Sequence, residues 1–308
     1  MFLERVGARM SIGQKVIVTV GAFVITFITI CTFFKNDISF LLTSRSIERN
    51  YGETQENSYF IEDNFEYVNN YEGVEVHSKK EIIDSIYYLI NSGVSYSKRY
   101  CAKDYEKCYD DMLAISDDAN TLSLLNNYVH PFNSFESIIF NFDNNVIEIE
   151  IKHTYSKSEI ETINNKVDDI INQVITNNMA VREQIKAIHD YVINNTEYDT
   201  LKTENIKDTT YKSNTAYGVL IENFGICSGY SDAMKIFLDK LNIINYKVSN
   251  DQHIWNLVYL DGSWYHLDLT WDDPISEINI TRDNYFLINT ATLEKLDDDL
   301  IILITIPF

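Results

Sequence analysis

From Val146 to His153 the chain reads VIEIEIKH, apolar and charged residues in strict alternation. That period of two predicts a strand with one face on a core and the other in water. Elsewhere the apolar residues recur at helical spacing. Ser78 and Glu81 form an S-x-x-E pattern ahead of Ile82, Ile83, Ile86, Leu89 and Ile90, which predicts a capped amphipathic helix ending near Gly93. A second helix is predicted over Asp104 to Ile115. Ser156 and Glu159 repeat the capping pattern, and Ile160, Ile163, Val167, Ile170, Ile171 and Val174 then hold one helical face for several turns. A further helix, Ala180 to Asn194, buries Val181, Ile185, Ile188 and Val192. His189 falls beside that stripe and reads as a packed histidine rather than a catalyst.

Ahead of these elements lies a different pattern. Val16 to Phe34 is nineteen residues without a charge, about 29 Å long as a helix and therefore a match to a bilayer core. Arg5, Arg9 and Lys15 precede it, so the expected topology has a cytoplasmic tail (1–15), a transmembrane anchor (16–34) and everything after Lys35 outside the cytoplasm. A cleaved signal peptide competes with the anchor, but no A-x-A-like site follows the apolar run. Cys31 lacks the small residue expected just ahead of a lipidated cysteine. Residues 35–56 are polar and without period, as in a tether. An N-terminal α+β domain of unknown role is then expected over 57–152 and a second domain over 153–308.

Composition supports two packed domains: 308 residues, 45% hydrophobic, with only three prolines and ten glycines. The formal charge of −21, with no basic stripe, argues against nucleic acid as a partner; such acidity is usually a solvated surface, and it also suits a cationic substrate or the amine of an acyl acceptor. Cys101 and Cys108, spaced as CAKDYEKC, fit either a short disulfide loop outside the cytoplasm or two free thiols.

Cys227 stands alone, between Gly225 and Gly229, directly before a helix with Tyr230, Met234, Phe237, Leu238 and Leu241 on its apolar face. At a helix entrance the free N–H groups and the dipole favour a thiolate. The two glycines are expected to leave room for a substrate backbone. A lone cysteine is by default a buried, inert one, but the next segment changes that reading. Gln252 to Asp273 contains two apolar, aromatic runs around Asp261-Gly262, a pair that favours a two-residue hairpin turn. Leu260 then pairs with Ser263, Trp255 faces Asp268, and His253 and Asp268 share one face diagonally. A three-residue loop would send Asp268 to the opposite face.

The runs G-I-C-S-G-Y-S, H-I-W-N and W-Y-H-L-D-L-T-W-D-D-P resemble the bacterial transglutaminase-like superfamily, from roughly Ser156 to Leu287 and including T-A-Y-G at Thr215 to Gly218. The order Cys, His, Asp is also that of papain-like folds. The resemblance implies an α+β core with the cysteine starting a helix that packs on an antiparallel sheet. It also implies Cys227 as nucleophile, His253 as base and Asp268 as the group orienting the histidine. Tyr217 is expected either to hold an oxyanion or to pack. Trp255 and Trp271 are expected to shield the His–Asp pair or to be core aromatics. His266 shares the hairpin face, but its spacing to Cys227 fits no zinc pattern, so neither metal nor cofactor is expected. Asp272 and Asp273, next to Pro274, are expected to form a turn.

The implied chemistry is acyl transfer or hydrolysis on protein or peptide amides, cell-envelope material among the expected substrates, by an enzyme held at the cell membrane. The alternative is a catalytically idle module serving binding or envelope assembly. After Leu296 the sequence departs from the family's habit of further polar and aromatic residues, and Ile301 to Ile306 is expected to be an extra strand or an exposed apolar end.

Overall fold

The computed structural model describes residues 57–250, 252–273 and 282–296. The expected cytoplasmic tail, anchor and tether, Cys31, Pro274 and the strand over Ile301 to Ile306 lie outside the described residues. Among the described residues no helix is long and apolar enough to cross a membrane.

The first sheet is built from β1 (Glu75–Val76), β2 (Tyr96–Cys101), β3 (Phe135–Asp143) and β4 (Val146–His153), in the order β1-β2-β4-β3. The alternating segment is β4, an inner strand paired antiparallel to both β2 and β3. Its Ile147, Ile149 and Ile151 are buried while the charged residues between them face outward, as the period of two requires. Helix α1 (Lys79–Asn91) is capped by the Ser78 hydroxyl, which accepts from the Glu81 N–H, and it ends before Gly93 at φ +69°.

The second predicted helix is shorter than expected. It begins at Cys108 (α2, Cys108–Ser116) because Ala102 to Lys107 makes the turn that brings Cys108 back to Cys101, and the two cysteines are disulfide-bonded. A further short helix, α3 (Ala119–Leu125), follows.

Helix α4 (Lys157–Val174) opens with a reciprocal capping box between Ser156 and Glu159, and α5 (Val181–Asn195) with the Glu183 carboxylate accepting the Ala180 N–H. After β5 (Glu197–Tyr198), α6 (Thr200–Glu204) and a single π-helical turn (Gly218–Glu222), β6 (Phe224–Gly225) runs parallel to β5. It leads into α7 (Cys227–Lys240). The second larger sheet is antiparallel, in the order β7 (Asn245–Ser249), β8 (Ile254–Leu260), β9 (Ser263–Leu267), followed by the one-turn α8 (Leu269–Asp272) and by α9 (Thr290–Leu296). Ile163, Val167 and Ile170 of α4, Ile185 and Ile188 of α5, and Phe237 and Leu238 of α7 share one core with Val258 and Leu267 of this sheet.

Helix α7 departs from the one-sided pattern: every residue from Gly229 to Leu238 is buried, charged ones included. A buried charge costs several kcal/mol unless it is paired, on the order of the penalty for any desolvated ion. Here Asp232 accepts from Lys247 Nζ at 2.7 Å and from the Tyr155 hydroxyl at 2.8 Å, and Lys235 donates to Asp239 at 3.1 Å.

Candidate active site

The Asp261-Gly262 turn takes the left-handed conformation at both residues, φ 51° and 80°, which is what a two-residue hairpin turn demands. Leu260 pairs with Ser263 and the ladder runs to Asn256 opposite Leu267, the predicted even register. Just past its end, His253 Nε2 donates to Asp268 Oδ2 at 2.5 Å. Each partner is held from behind. The Asn250 side chain accepts the His253 N–H at 2.7 Å, and Asp268 caps α8, its Oδ1 accepting the N–H groups of Thr270 and Trp271 at 3.0 and 3.2 Å. With Nε2 committed to the carboxylate, Nδ1 is the nitrogen left for other work.

Cys227 is the first residue of α7, partly exposed, and is the free cysteine among the described residues. The Cys227 thiol is among the neighbours that favour the charged form of the His253 imidazole. Burial pulls the imidazole down most strongly, yet the hydrogen bond it donates to Asp268, together with the charge of Asp268 and the influence of Cys227, outweighs it and lifts His253 to about 9. Two indoles stack on the ring: Trp271 at 4.7 Å and 3° between planes, Trp255 at 5.6 Å and 17°. Both expectations for these tryptophans are met, since they stack on the His253 ring while Trp255 belongs to a small apolar cluster against which Trp271 packs.

Two expectations need correcting. Gly225 and Gly229 make room for the chain itself and not for a substrate: a Cβ on Gly229 would meet the Ser213 carbonyl oxygen at 2.2 Å, and one on Gly225 the Tyr230 ring at 2.7 Å. Asp272 and Asp273 do not simply turn the chain; Asp272 is fully buried in α8, facing His189. His189 is packed as expected, fully buried, and both its nitrogens lie against carboxylates, Asp190 at 2.9 Å and Asp272 at 3.1 Å. Sequence reasoning missed this pair because 83 residues separate its members and no local period announces it.

His266 is locked as a neutral ring. Trp255 Nε1 donates to its Nδ1 at 3.0 Å, its Nε2 lies 3.0 Å from the Thr290 hydroxyl, and burial lowers it to about 4. Tyr217 precedes the π turn with Lys212 over its ring at 5.6 Å. Among the described residues no hydrogen bond joins Tyr217 to Cys227, His253 or Asp268, and no group of three or more His, Cys, Asp or Glu side chains is arranged to hold a metal ion.

Residues 168–269 match the family model described as "Transglutaminase-like superfamily". This stretch is a transglutaminase-like domain. It contains Cys227, His253 and Asp268, and is narrower than the span over which the motifs resemble that family. A solved structure described as "Crystal structure of a TGase" is 17% identical, over 57% of this chain and 51% of that one, with a TM-score of 0.34. The overlap thus spans about half of the solved chain. No curated protein matches the chain.

Proposed function

We propose that the transglutaminase-like domain is a thiol enzyme acting on protein or peptide amides, with Cys227 as nucleophile, His253 as general base and acid, and Asp268 as the residue that orients the imidazole. The observation that carries this reading is the His253–Asp268 hydrogen bond, with Cys227 at a helix N-terminus and acting on the same imidazole. The sulfur attacks the amide carbonyl, the C–N bond breaks, and the proton held by His253 leaves with the amine or ammonia. The resulting thioester is resolved by water, giving hydrolysis, or by an amine, giving a new amide. The Cys227 backbone N–H, free of an intrahelical acceptor in the first turn, is suited to the developing oxyanion, with the Tyr217 hydroxyl as a second donor.

The domain acts outside the cytoplasm, anchored through residues 16–34, with cell-envelope protein or peptide as its substrate. The Cys101–Cys108 disulfide supports an oxidising compartment. Incubating the full chain with envelope protein and comparing it with Cys227→Ala by mass spectrometry tests the proposal. Mass changes of −17 per cross-link or +1 per deamidated glutamine, or new peptide termini, are expected in the first sample alone. Identical spectra, together with iodoacetamide labelling of Cys227 that His253→Ala does not slow, would favour the idle module.

A further inference from the structure

Helix α8 has one turn and carries three aspartates if its flanks are included, and each grips a different element. Asp268, at its N-cap, holds His253 at the entrance to β8. Asp272, at 0% exposure, faces His189 of α5 at 3.1 Å and accepts the Tyr285 N–H at 3.0 Å. Asp273, just after the helix, accepts from the Tyr230 hydroxyl, one turn along α7 from Cys227. A four-residue helix has almost no cohesion of its own, since nucleation is unfavourable and one turn adds few hydrogen bonds. Its orientation is therefore set by what its side chains hold.

The links close into a ring around the reacting groups. The Tyr285 carbonyl that follows Asp272's partner N–H accepts the Asp268 N–H at 3.2 Å, the Tyr285 ring meets Trp271 edge-on at 4.8 Å, and Trp271 lies flat on His253. His189 also meets the Phe286 ring at 5.2 Å. The proposed acyl transfer uses neither His189 nor Asp272, yet both are fully buried ionisable groups, a costly arrangement that packing alone does not require.

We propose that α8 is a positioning clamp in which His189–Asp272 and Tyr230–Asp273 fix the angle at which Asp268 presents His253 to Cys227. His189, Tyr230, Asp272 and Asp273 are then positioning residues that touch no substrate. This rests on the acyl-transfer reading for its purpose, but not for its test. Burial lifts the Asp273 carboxyl to about 6 against the pull of the Tyr230 hydroxyl, so the α7 latch is charge-assisted above that point and a weaker neutral hydrogen bond below it.

The test uses Asp272→Asn and Tyr230→Phe in the full chain, with two readouts: the His253 ring titration by NMR, and the pH dependence of Cys227 alkylation by iodoacetamide. Loosening the clamp weakens the Asp268–His253 bond, so the His253 midpoint is expected to fall from about 9 by roughly a unit, with alkylation below the midpoint slowed roughly tenfold. Variants that melt at a lower temperature but keep both profiles at wild-type values would overturn the clamp and leave a merely structural role. Tyr230→Phe keeps the ring and removes one hydrogen bond, so it carries the test if Asp272→Asn fails to fold. Failure of the acyl-transfer reading looks different: no product depends on Cys227, while the His253 titration still reports whether α8 positions the ring.

Discussion

The open end of the β8–β9 hairpin and its sealed middle each carry an imidazole on the same face. His253 and His266 both lose solvation, which alone would lower both. One nevertheless rises to about 9 and the other falls to about 4. His253 meets a carboxylate and also feels the Cys227 thiol, whereas His266 meets an indole N–H and a hydroxyl. An indole N–H occupies a lone pair and so favours the neutral ring; a carboxylate rewards the cation. The same side chain thus favours its charged form in one place and, in the other, is a neutral bracket for Trp255. Its partners, and not its depth, make the difference.

The most severe way to test this contrast is to remove the acid–base end. Cys227→Ala or His253→Ala is expected to lower Cys227-dependent amide turnover by about 10⁴-fold or more, in line with knockouts of comparable triads; substrate loss followed by mass spectrometry checks it. Next in size, Asp268→Asn keeps the α8 cap acceptor but removes the charge facing His253. The ring should then titrate near or below the ordinary 6.5, and turnover should fall by roughly 10²-fold or more, read from NMR and rates on one sample.

The pH dependence of stability separates the two rings by sign. His253 has a folded value above its unfolded one, so its contribution, up to roughly 3 kcal/mol, is complete below about pH 6.5 and is lost as pH rises through about 9. His266 is the reverse: its folded value is depressed, so stability is lost as pH falls from about 6.5 through about 4, again by up to roughly 3 kcal/mol. Asp273, raised to about 6, works against His266 in the acid range, because its share is present at low pH and lost as pH rises through 6. Denaturant melts across pH on wild type, Asp268→Asn and His266→Gln resolve the two limbs.

His266→Gln carries the smallest effect. Glutamine supplies an acceptor for Trp255 Nε1 and a donor for Thr290, so at pH 7 it should cost within about 1 kcal/mol and leave the His253 titration in place. Its acid limb should flatten. A displaced His253 midpoint in this variant would mean that the two rings are coupled through Trp255 and that the contrast is not local.

Much of this arrangement was legible along the chain. The two capping patterns at Ser78 and Ser156 fix helix starts because the cap is a local hydrogen bond, and VIEIEIKH marks β4 because alternation is a property of one strand. His253 and Asp268 could be paired since Asp261-Gly262 sets the register by turn chemistry alone. What stayed hidden depends on distant neighbours. The His189–Asp272 contact, the Asp232–Lys247 pair inside α7 and the Tyr230–Asp273 latch join segments whose approach no periodicity encodes. Strand β3 was readable only in retrospect: FESIIFNFD meets β4 across Asn144, φ 54°, and an asparagine pair between apolar runs is the signal that would have found it. The role of Gly229 was misjudged because sequence shows that a side chain is missing without showing what fills the space.

That filled space has a consequence for the sulfur. With the Ser213 carbonyl 2.2 Å from where a Cβ at residue 229 would sit, the first turn of α7 rests backbone against backbone, with no side chain between to flex or cushion. The Ile226 N–H, bonded to that same carbonyl at 2.9 Å, anchors the residue immediately before Cys227. The depth of the Cys227 side chain is therefore gauged by a strip of main chain, and any shift of that strip reaches the sulfur.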